Sequence, residues 1–99
     1  MTKKTAVPKL SPEAKRLEKL IADEWEVQDS VGLFLLRRAM ECWDRLRQAQ
    51  AEIERDGILC TDRFGAKKPH PATVVEKEAR AHLLQCFKAL DLDLDSIGD

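Results

Sequence analysis

The side chains best suited to chemistry in this sequence are two histidines and three cysteines. His82 and Cys86 are four residues apart, so on a helix they share one face. Together with His70 and Cys60 they supply nitrogen and sulfur ligands of the kind that bind Zn²⁺. Cys86, however, belongs to an apolar repeat, in which a free cysteine behaves as a small hydrophobic residue. We therefore expect no metal site and no cofactor.

No arrangement of residues indicates catalysis. The sequence has no phosphate-binding glycine loop, no nucleophile elbow and no HExxH pair. Glu76 and Glu78 are two apart on a predicted helix and do not face each other, and Glu52, Glu54 and Asp56 are more simply a solvated helix end. We predict that the chain is not an enzyme.

Nucleic-acid binding is better supported, because the first 20 residues contain six cations and only two acids, whereas residues 91–99 contain four aspartates and no cation. A basic segment can neutralise the phosphates of DNA, although two ordinary solvated ends would show the same asymmetry. Four arginines of the second predicted helix could extend such a surface, but we favour their pairing with Glu41 and Asp44. These arginines are Arg37, Arg38, Arg45 and Arg47. The residues predicted to bind DNA are Lys3, Lys4, Lys9, Lys15, Arg16 and Lys19.

The composition bounds the protein to one small globular domain: 99 residues, 43% hydrophobic and 35% charged. Four glycines, four prolines and no tyrosine favour helices over a many-turned β-fold. The odd number of cysteines, without CxxC spacing, fits a reducing compartment. No apolar run approaches the roughly 20 residues that cross a bilayer, and no signal-peptide core is present, so we expect a cytoplasmic protein without membrane contact.

The spacing of apolar residues predicts an all-α fold with three helices. Ser11-Pro12-Glu13 is typical of a helix start, Asp29 offers a second cap, and Gly57 and Pro71 mark a stop and a restart. Residues 57–70 read as a loop, with a possible tight ribbon at 62–65. The predicted helices cover about residues 12–26, 29–56 and 71–90 of a single domain at 11–92, with a flexible basic arm at 1–10 and an acidic tail at 93–99.

The second and third predicted helices should form a long antiparallel hairpin, to which the short first helix adds. The second helix is longer than the third, and it carries a second apolar line beside its main stripe. This line, Leu33, Leu36, Met40 and Trp43, makes its apolar surface wider than one neighbouring helix would cover. We therefore predict that the hairpin oligomerises.

Four stretches of the chain carry a more specific signal when they are taken in order. They are Ala39-Met40-Glu41-Cys42-Trp43-Asp44-Arg45; Ile53-Glu54-Arg55-Asp56-Gly57; Asp62-Arg63-Phe64-Gly65 with Lys67-Lys68-Pro69-His70-Pro71; and Glu76-Lys77-Glu78-Ala79-Arg80 followed by Leu90-Asp91-Leu92. Together they resemble the bacteriophage terminase small subunit family, in its short phage and prophage group. The segment from Ser11 to Trp25 is similar to the family's opening helix, so the resemblance covers about residues 10–95.

This resemblance implies a non-catalytic protein that recognises double-stranded phage DNA and forms rings. Such a protein brings the DNA to the terminase large subunit, which carries the packaging ATPase and the nuclease. The matching residues Trp43, Asp44, Gly57, Asp62, Gly65, His70 and Pro71 read as architectural, while Asp62 and Arg63 could equally contact a neighbouring subunit. The predicted oligomer interface is therefore Leu33, Leu36, Met40, Trp43, Asp62 and Arg63.

One departure from the family bears on how DNA would be bound. Many small terminases carry an N-terminal helix-turn-helix, whereas only one helix and a basic arm precede the hairpin here. We therefore expect a ring to display the basic residues repeatedly, so that weak contacts add. Two other interpretations stay open: a small dimeric DNA-binding regulator of a mobile element, and a structural adaptor without nucleic-acid contact.

Overall fold

The computed structural model describes residues 9–91, which form three helices and a small two-stranded sheet. The helices are α1 (Pro12–Glu24), α2 (Ser30–Asp56) and α3 (Ala72–Ala89), and the strands are β1 (Leu59–Thr61) and β2 (Lys67–Pro69). The mostly helical fold is confirmed, with each helix end within two residues of its predicted position. Lys3 and Lys4 of the basic arm and the acidic tail at 93–99 lie outside the described residues.

The sheet corrects the all-α prediction. Residues 57–70 form a β-hairpin in which Leu59 pairs with Pro69, Cys60 with Lys68, and Thr61 with Lys67, in antiparallel register. The strands are three residues long and almost wholly exposed, so they carry little of the alternating apolar pattern by which strands are recognised. The tight ribbon considered at residues 62–65 is the turn of this hairpin.

Short polar side chains fix where the first two helices begin. Ser11 accepts a hydrogen bond from the backbone N–H of Ala14 at 3.0 Å, and Asp29 accepts one from Gly32 at 2.8 Å. Each bond satisfies one of the N–H groups that a helix start leaves without an intrahelical partner. At the other end of α2, Gly57 adopts φ 88°, a conformation that glycine reaches at little cost, and the chain leaves the helix there.

α2 and α3 pack antiparallel. Leu35 and Cys42, from the first half of α2, line one groove together with Ala89 at the end of α3. Ala49 and Glu52, near the end of α2, line another groove with Ala72 at the start of α3. The predicted helical hairpin therefore forms within one chain. Within residues 9–91, no helix is long and apolar enough to span a bilayer.

The core lies along the inner face of α2, between α1 and α3. Leu36 is 0% exposed and Met40 is 1% exposed, so both side chains are covered by their own chain. This corrects the prediction that these two residues belong to a surface free for other subunits, because both lie in the buried cluster that α2 shares with Ala14 of α1 and with Ala79 and Leu83 of α3. The buried cluster is Leu10, Ala14, Leu36, Ala39, Met40, Leu46, Ala79 and Leu83.

Polar contacts fasten the start of α1 to the middle of α2. Asp44 accepts two hydrogen bonds from Ser11, one from the backbone N–H at 2.8 Å and one from Oγ at 2.5 Å. Beside them, Trp43 Nε1 donates to Glu13 at 2.8 Å. The prediction that Asp44 pairs with an arginine of α2 is therefore wrong, since its carboxylate is occupied by the cap residue of α1.

Asp44→Ala should destabilise the protein by about 3 kcal/mol, because a hydrogen bond to a charged group contributes on the order of 1.5–3 kcal/mol and both partly exposed bonds from Ser11 would be lost. Urea unfolding followed by circular dichroism measures the change. The matched control is Asp23→Ala on the exposed side of α1, expected to shift the free energy of unfolding by less than about 0.5 kcal/mol. Equal losses in the two variants would contradict the proposed role of Asp44.

Candidate nucleic-acid interface

The outward face of α1 is cationic. Lys15, Arg16 and Lys19 are all exposed, and spacings of three and four residues place them on one side of the helix. The opposite side carries Ala14, which is fully buried, and partly buried Leu17. Of the six residues predicted to bind DNA, these three therefore form one surface, with Lys9 exposed just before the helix begins.

The acids of the same segment turn towards α2. Both carboxylate oxygens of Glu18 accept hydrogen bonds from Arg37, at 2.7 and 3.0 Å, and this pairing raises the pKa of Arg37. Glu13 accepts the bond from Trp43 and lies 3.6 Å from Arg47 Nε. Both acids are thus compensated by α2, so the outward face of α1 is cationic over its first two turns, while Asp23 and Glu24 are exposed at the end of the helix.

The arginines of α2 contribute little to a free cationic surface. The expected pairing of an α2 arginine with Glu41 is found for Arg38, at 3.4 Å, whereas Arg37 and Arg47 pair across to α1 instead of within α2. Arg47 also lies 5.9 Å above the ring of Trp43. Arg45 is exposed, and no ion pair within residues 9–91 involves it.

Asp62 organises the turn of the β-hairpin. Its Oδ1 accepts the backbone N–H groups of Phe64 at 2.8 Å and Ala66 at 2.9 Å, and its Oδ2 lies 3.3 Å from Lys68 Nζ. Although desolvation opposes the shift, these donors hold the pKa of Asp62 below its ordinary value. Gly65 completes the turn at φ 83°. This geometry supports the architectural interpretation of Asp62 and Gly65.

The remaining predicted interface residues, Leu33, Trp43 and Arg63, differ in their exposure to solvent. Trp43 is only partly exposed and is engaged by Glu13 and Arg47, so most of its contacts lie within the chain. Leu33 is 43% exposed, and two large neighbours on the first turns of α2 are more so: Val31 at 66% and Phe34 at 64%. Arg63 is exposed at the hairpin tip. Leu33 and Arg63 are thus the predicted residues most open to a partner.

The four potential metal donors do not converge, because His82 and Cys86 line one groove between α2 and α3 whereas His70 and Cys60 lie elsewhere. His70 is buried at the start of α3, where Nδ1 accepts the N–H of Ala72 at 2.9 Å, so that Nε2 carries the hydrogen and donates to Asp56 at 2.9 Å. Cys86 lines the α2–α3 groove with Cys42, whose pKa is raised by burial. Across residues 9–91, histidines, cysteines and carboxylates form no group of three or more that could hold a metal ion.

The hydrogen bond between Asp56 and His70, which forms the joint between α2 and α3, was not predicted from the sequence. Asp56 ends α2 and His70 precedes α3, and their hydrogen bond closes the base of the β-hairpin, with the N–H of His70 donating to the carbonyl of Ile58 at 2.6 Å. The available signal was the Asp-Gly stop followed by a histidine between two prolines, Pro69 and Pro71. The exposure of Phe64 was also missed, since an isolated aromatic residue in a loop usually serves as an anchor.

A family model described as phage terminase, small subunit, matches residues 22–98. The chain belongs to this family. The match takes in α2, the β-hairpin and α3 of this small terminase subunit, but only the last three residues of α1, and all six predicted DNA-binding cations precede it. No match is found among curated proteins, and none among solved structures.

Asp56 should make the stability of this small terminase subunit depend on pH. Hydrogen bonds from Arg55 and His70 hold the pKa of Asp56 well below its ordinary value of about 4. A lowered pKa contributes stability that is fully present above the ordinary value and is lost as the pH falls through the folded-state value. Asp56→Asn should therefore lower the Tm at neutral pH, and the difference from wild type should shrink below about pH 4.

Thermal unfolding from neutral to strongly acidic pH checks this expectation, with Asp23→Asn as the exposed control. A Tm difference for Asp56→Asn that stays constant across the series would show that the ionised carboxylate is not what stabilises the joint.

Proposed function

We propose that this small terminase subunit binds double-stranded phage DNA through the outward face of α1 and delivers it to the large subunit for packaging. The observation that carries the proposal is the separation of charge on the first two turns of α1, where Lys15, Arg16 and Lys19 face outward while Glu13 and Glu18 are paired with α2. A cationic helix face can follow the phosphate backbone without reading bases. Lys3, Lys4 and Lys9 would extend the same contact.

Self-association is the second part of the proposal. Three cations per chain give only a few phosphate contacts, whereas several copies held together bind with an avidity that no single copy reaches. The exposed apolar residues Val31, Leu33 and Phe34 on the first turns of α2 support an oligomer, because exposed apolar surface on a small protein commonly marks an interface. A closed ring would present the α1 faces repeatedly to one DNA molecule.

The proposed role is non-catalytic. The ATPase and nuclease chemistry of packaging would reside in the large subunit, and the small subunit would supply the DNA and the docking surface. Packaging takes place in the cytoplasm of the bacterial host, so the subunit would act there. A dimeric regulator would bind DNA at a lower mass, and an adaptor would show no salt-dependent DNA binding. Light scattering and a DNA mobility shift therefore separate the three roles.

Reversing the outward charges tests the DNA contact. Lys15→Glu, Arg16→Glu and Lys19→Glu together should weaken DNA binding strongly, and the slope of log affinity against log salt should become shallower by about 0.9 for each phosphate that is no longer neutralised. Fluorescence anisotropy with a labelled duplex, measured over a salt series, gives both quantities. Light scattering should show an unchanged mass, because these side chains do not take part in the core.

The matched control reverses the exposed cations Arg45, Lys77 and Lys88, which changes the net charge by the same amount on other helices. It should keep most of the affinity and of the salt slope. Equal losses in the two triple variants would show that net charge alone governs binding, and an unaffected α1 variant would remove α1 from the DNA contact.

A further inference from the structure

The tip of the β-hairpin presents an uncovered aromatic ring. Phe64 is 80% exposed, the most exposed of the large hydrophobic side chains in the described part of the chain. The guanidinium of Arg63 lies 5.2 Å from the centre of this ring, so a cation accompanies the apolar surface. Aromatic residues, phenylalanine among them, and arginine are both enriched in protein interfaces relative to the rest of the surface.

The hairpin holds this ring away from its own chain. The two bonds to Asp62 Oδ1 fix the backbone of the turn, and Asp62 N–H donates to the carbonyl of Ala66 at 2.8 Å. The hairpin base is fixed in turn by the bond of His70 to Ile58. Because the turn and the base are both constrained, Phe64 is presented as a rigid protrusion, and a rigid group loses little conformational entropy when it binds.

A concave apolar site lies at the base of the hairpin, between the end of α2 and the start of α3. Its volume is about 350 Å³. Ile53 and Ile58 supply its apolar wall, and Ile58 is 64% exposed. Glu54 and Glu76 also line it, which makes the site acidic. Glu76 pairs with Arg80, whereas Glu54 is exposed and forms no ion pair with any residue of 9–91.

We infer that Phe64 of one copy inserts into this apolar site of a second copy, where Arg63 meets Glu54. The tip and the site are complementary in both character and charge: an aromatic ring beside a cation faces an apolar wall beside an unpaired carboxylate. DNA is a poor occupant of the same site, because Glu54 and Glu76 would repel its phosphates. This inference rests on the self-association proposed above and makes this contact the one that joins the copies, so that Val31, Leu33 and Phe34 would be covered only after the copies are joined.

The contact is head-to-tail, because the tip and the site are different surfaces of the chain. Each copy that donates its tip keeps its own site open for the next, so the contact repeats from copy to copy. Repetition of a head-to-tail contact yields a closed ring when the rotation closes and a filament when it does not. A two-fold dimer would require each copy to insert its tip into the other's site at the same time, which would use up both surfaces and stop growth at two chains.

Two complementary variants test the inference. The tip variant carries Arg63→Glu and Phe64→Ser, and the site variant carries Glu54→Lys and Ile58→Lys; all four side chains are exposed. Each variant alone should remain a single chain of about 11.3 kDa by light scattering. Mixed in equal amounts, they should form dimers and nothing larger, because only one intact tip and one intact site remain in each pair.

Three controls keep the outcome interpretable. Leu84→Lys places a charge on an exposed apolar residue of α3 remote from the site and should leave the wild-type mass unchanged. Circular dichroism should show unchanged helix content in every variant. A chain that combines Arg63→Glu with Glu54→Arg should regain assembly, because the charges are exchanged across the contact.

A wild-type mass of one chain would overturn the proposed self-association together with this contact. An assembled wild type whose mass is unchanged in the tip and site variants would overturn the contact alone. A mixture that stays monomeric, or that grows beyond dimers, would also overturn it. Loss of DNA affinity in the tip variant at full wild-type mass would instead assign Phe64 to the DNA.

Discussion

The burial of one face of α2 is the constraint on which the rest of the structure depends. Leu36 and Met40 lie almost completely inside the chain, and burying side chains of this size stabilises the fold by roughly 1.5–3 kcal/mol each. α1 and α3 both pack on α2, which is therefore the common support of the other two helices.

Small residues make this arrangement close-packed. Ala14 of α1, Ala39 of α2 and Ala79 of α3 are each at most 1% exposed, so each helix brings an alanine to the core. Where two helices meet at alanines their backbones can approach more closely than at leucines, and the larger Leu36 and Met40 fill the remaining volume. Polar contacts between α1 and α2 then sit at the rim of this core, where charged groups stay hydrated.

The helices and their ends could be predicted from the sequence, but which helix packs on which face of α2 could not. Threes and fours in apolar spacing, together with Ser11, Asp29 and Gly57, are local signals, and they placed α1, α2 and α3 closely. Which side of α2 is covered depends on contacts between distant residues, so Leu36 and Met40 were assigned to a partner subunit although they are buried within the chain. The partners of the ion pairs Glu18–Arg37 and Glu13–Arg47 are 19 and 34 positions apart in sequence, and no local pattern predicts such pairs. The β-hairpin was not predicted, because strands of three mostly exposed residues show no periodicity of apolar residues.

The candidate site, too, could be predicted only in part from the sequence. Spacing alone put Lys15, Arg16 and Lys19 on one helix face, and the structure adds that the neighbouring acids are turned away from it. The openness of Phe64 and the concavity beside Ile53 depend on the placement of the hairpin relative to the helices. Only a three-dimensional arrangement could reveal a protrusion and a recess on the same chain.

The attachment of α1 has a consequence for local unfolding. The helix is joined to the remainder through a narrow apolar stripe and a few partly exposed polar bonds, whereas α2 and α3 share the longer interface and the Asp56–His70 joint. Its amide hydrogens should therefore exchange with solvent through openings that leave the helical hairpin intact. The cationic face of α1 would then belong to the least stable cooperative unit of the molecule. If it binds DNA, it could adapt to a curved or irregular duplex while α2 and α3 keep their packing.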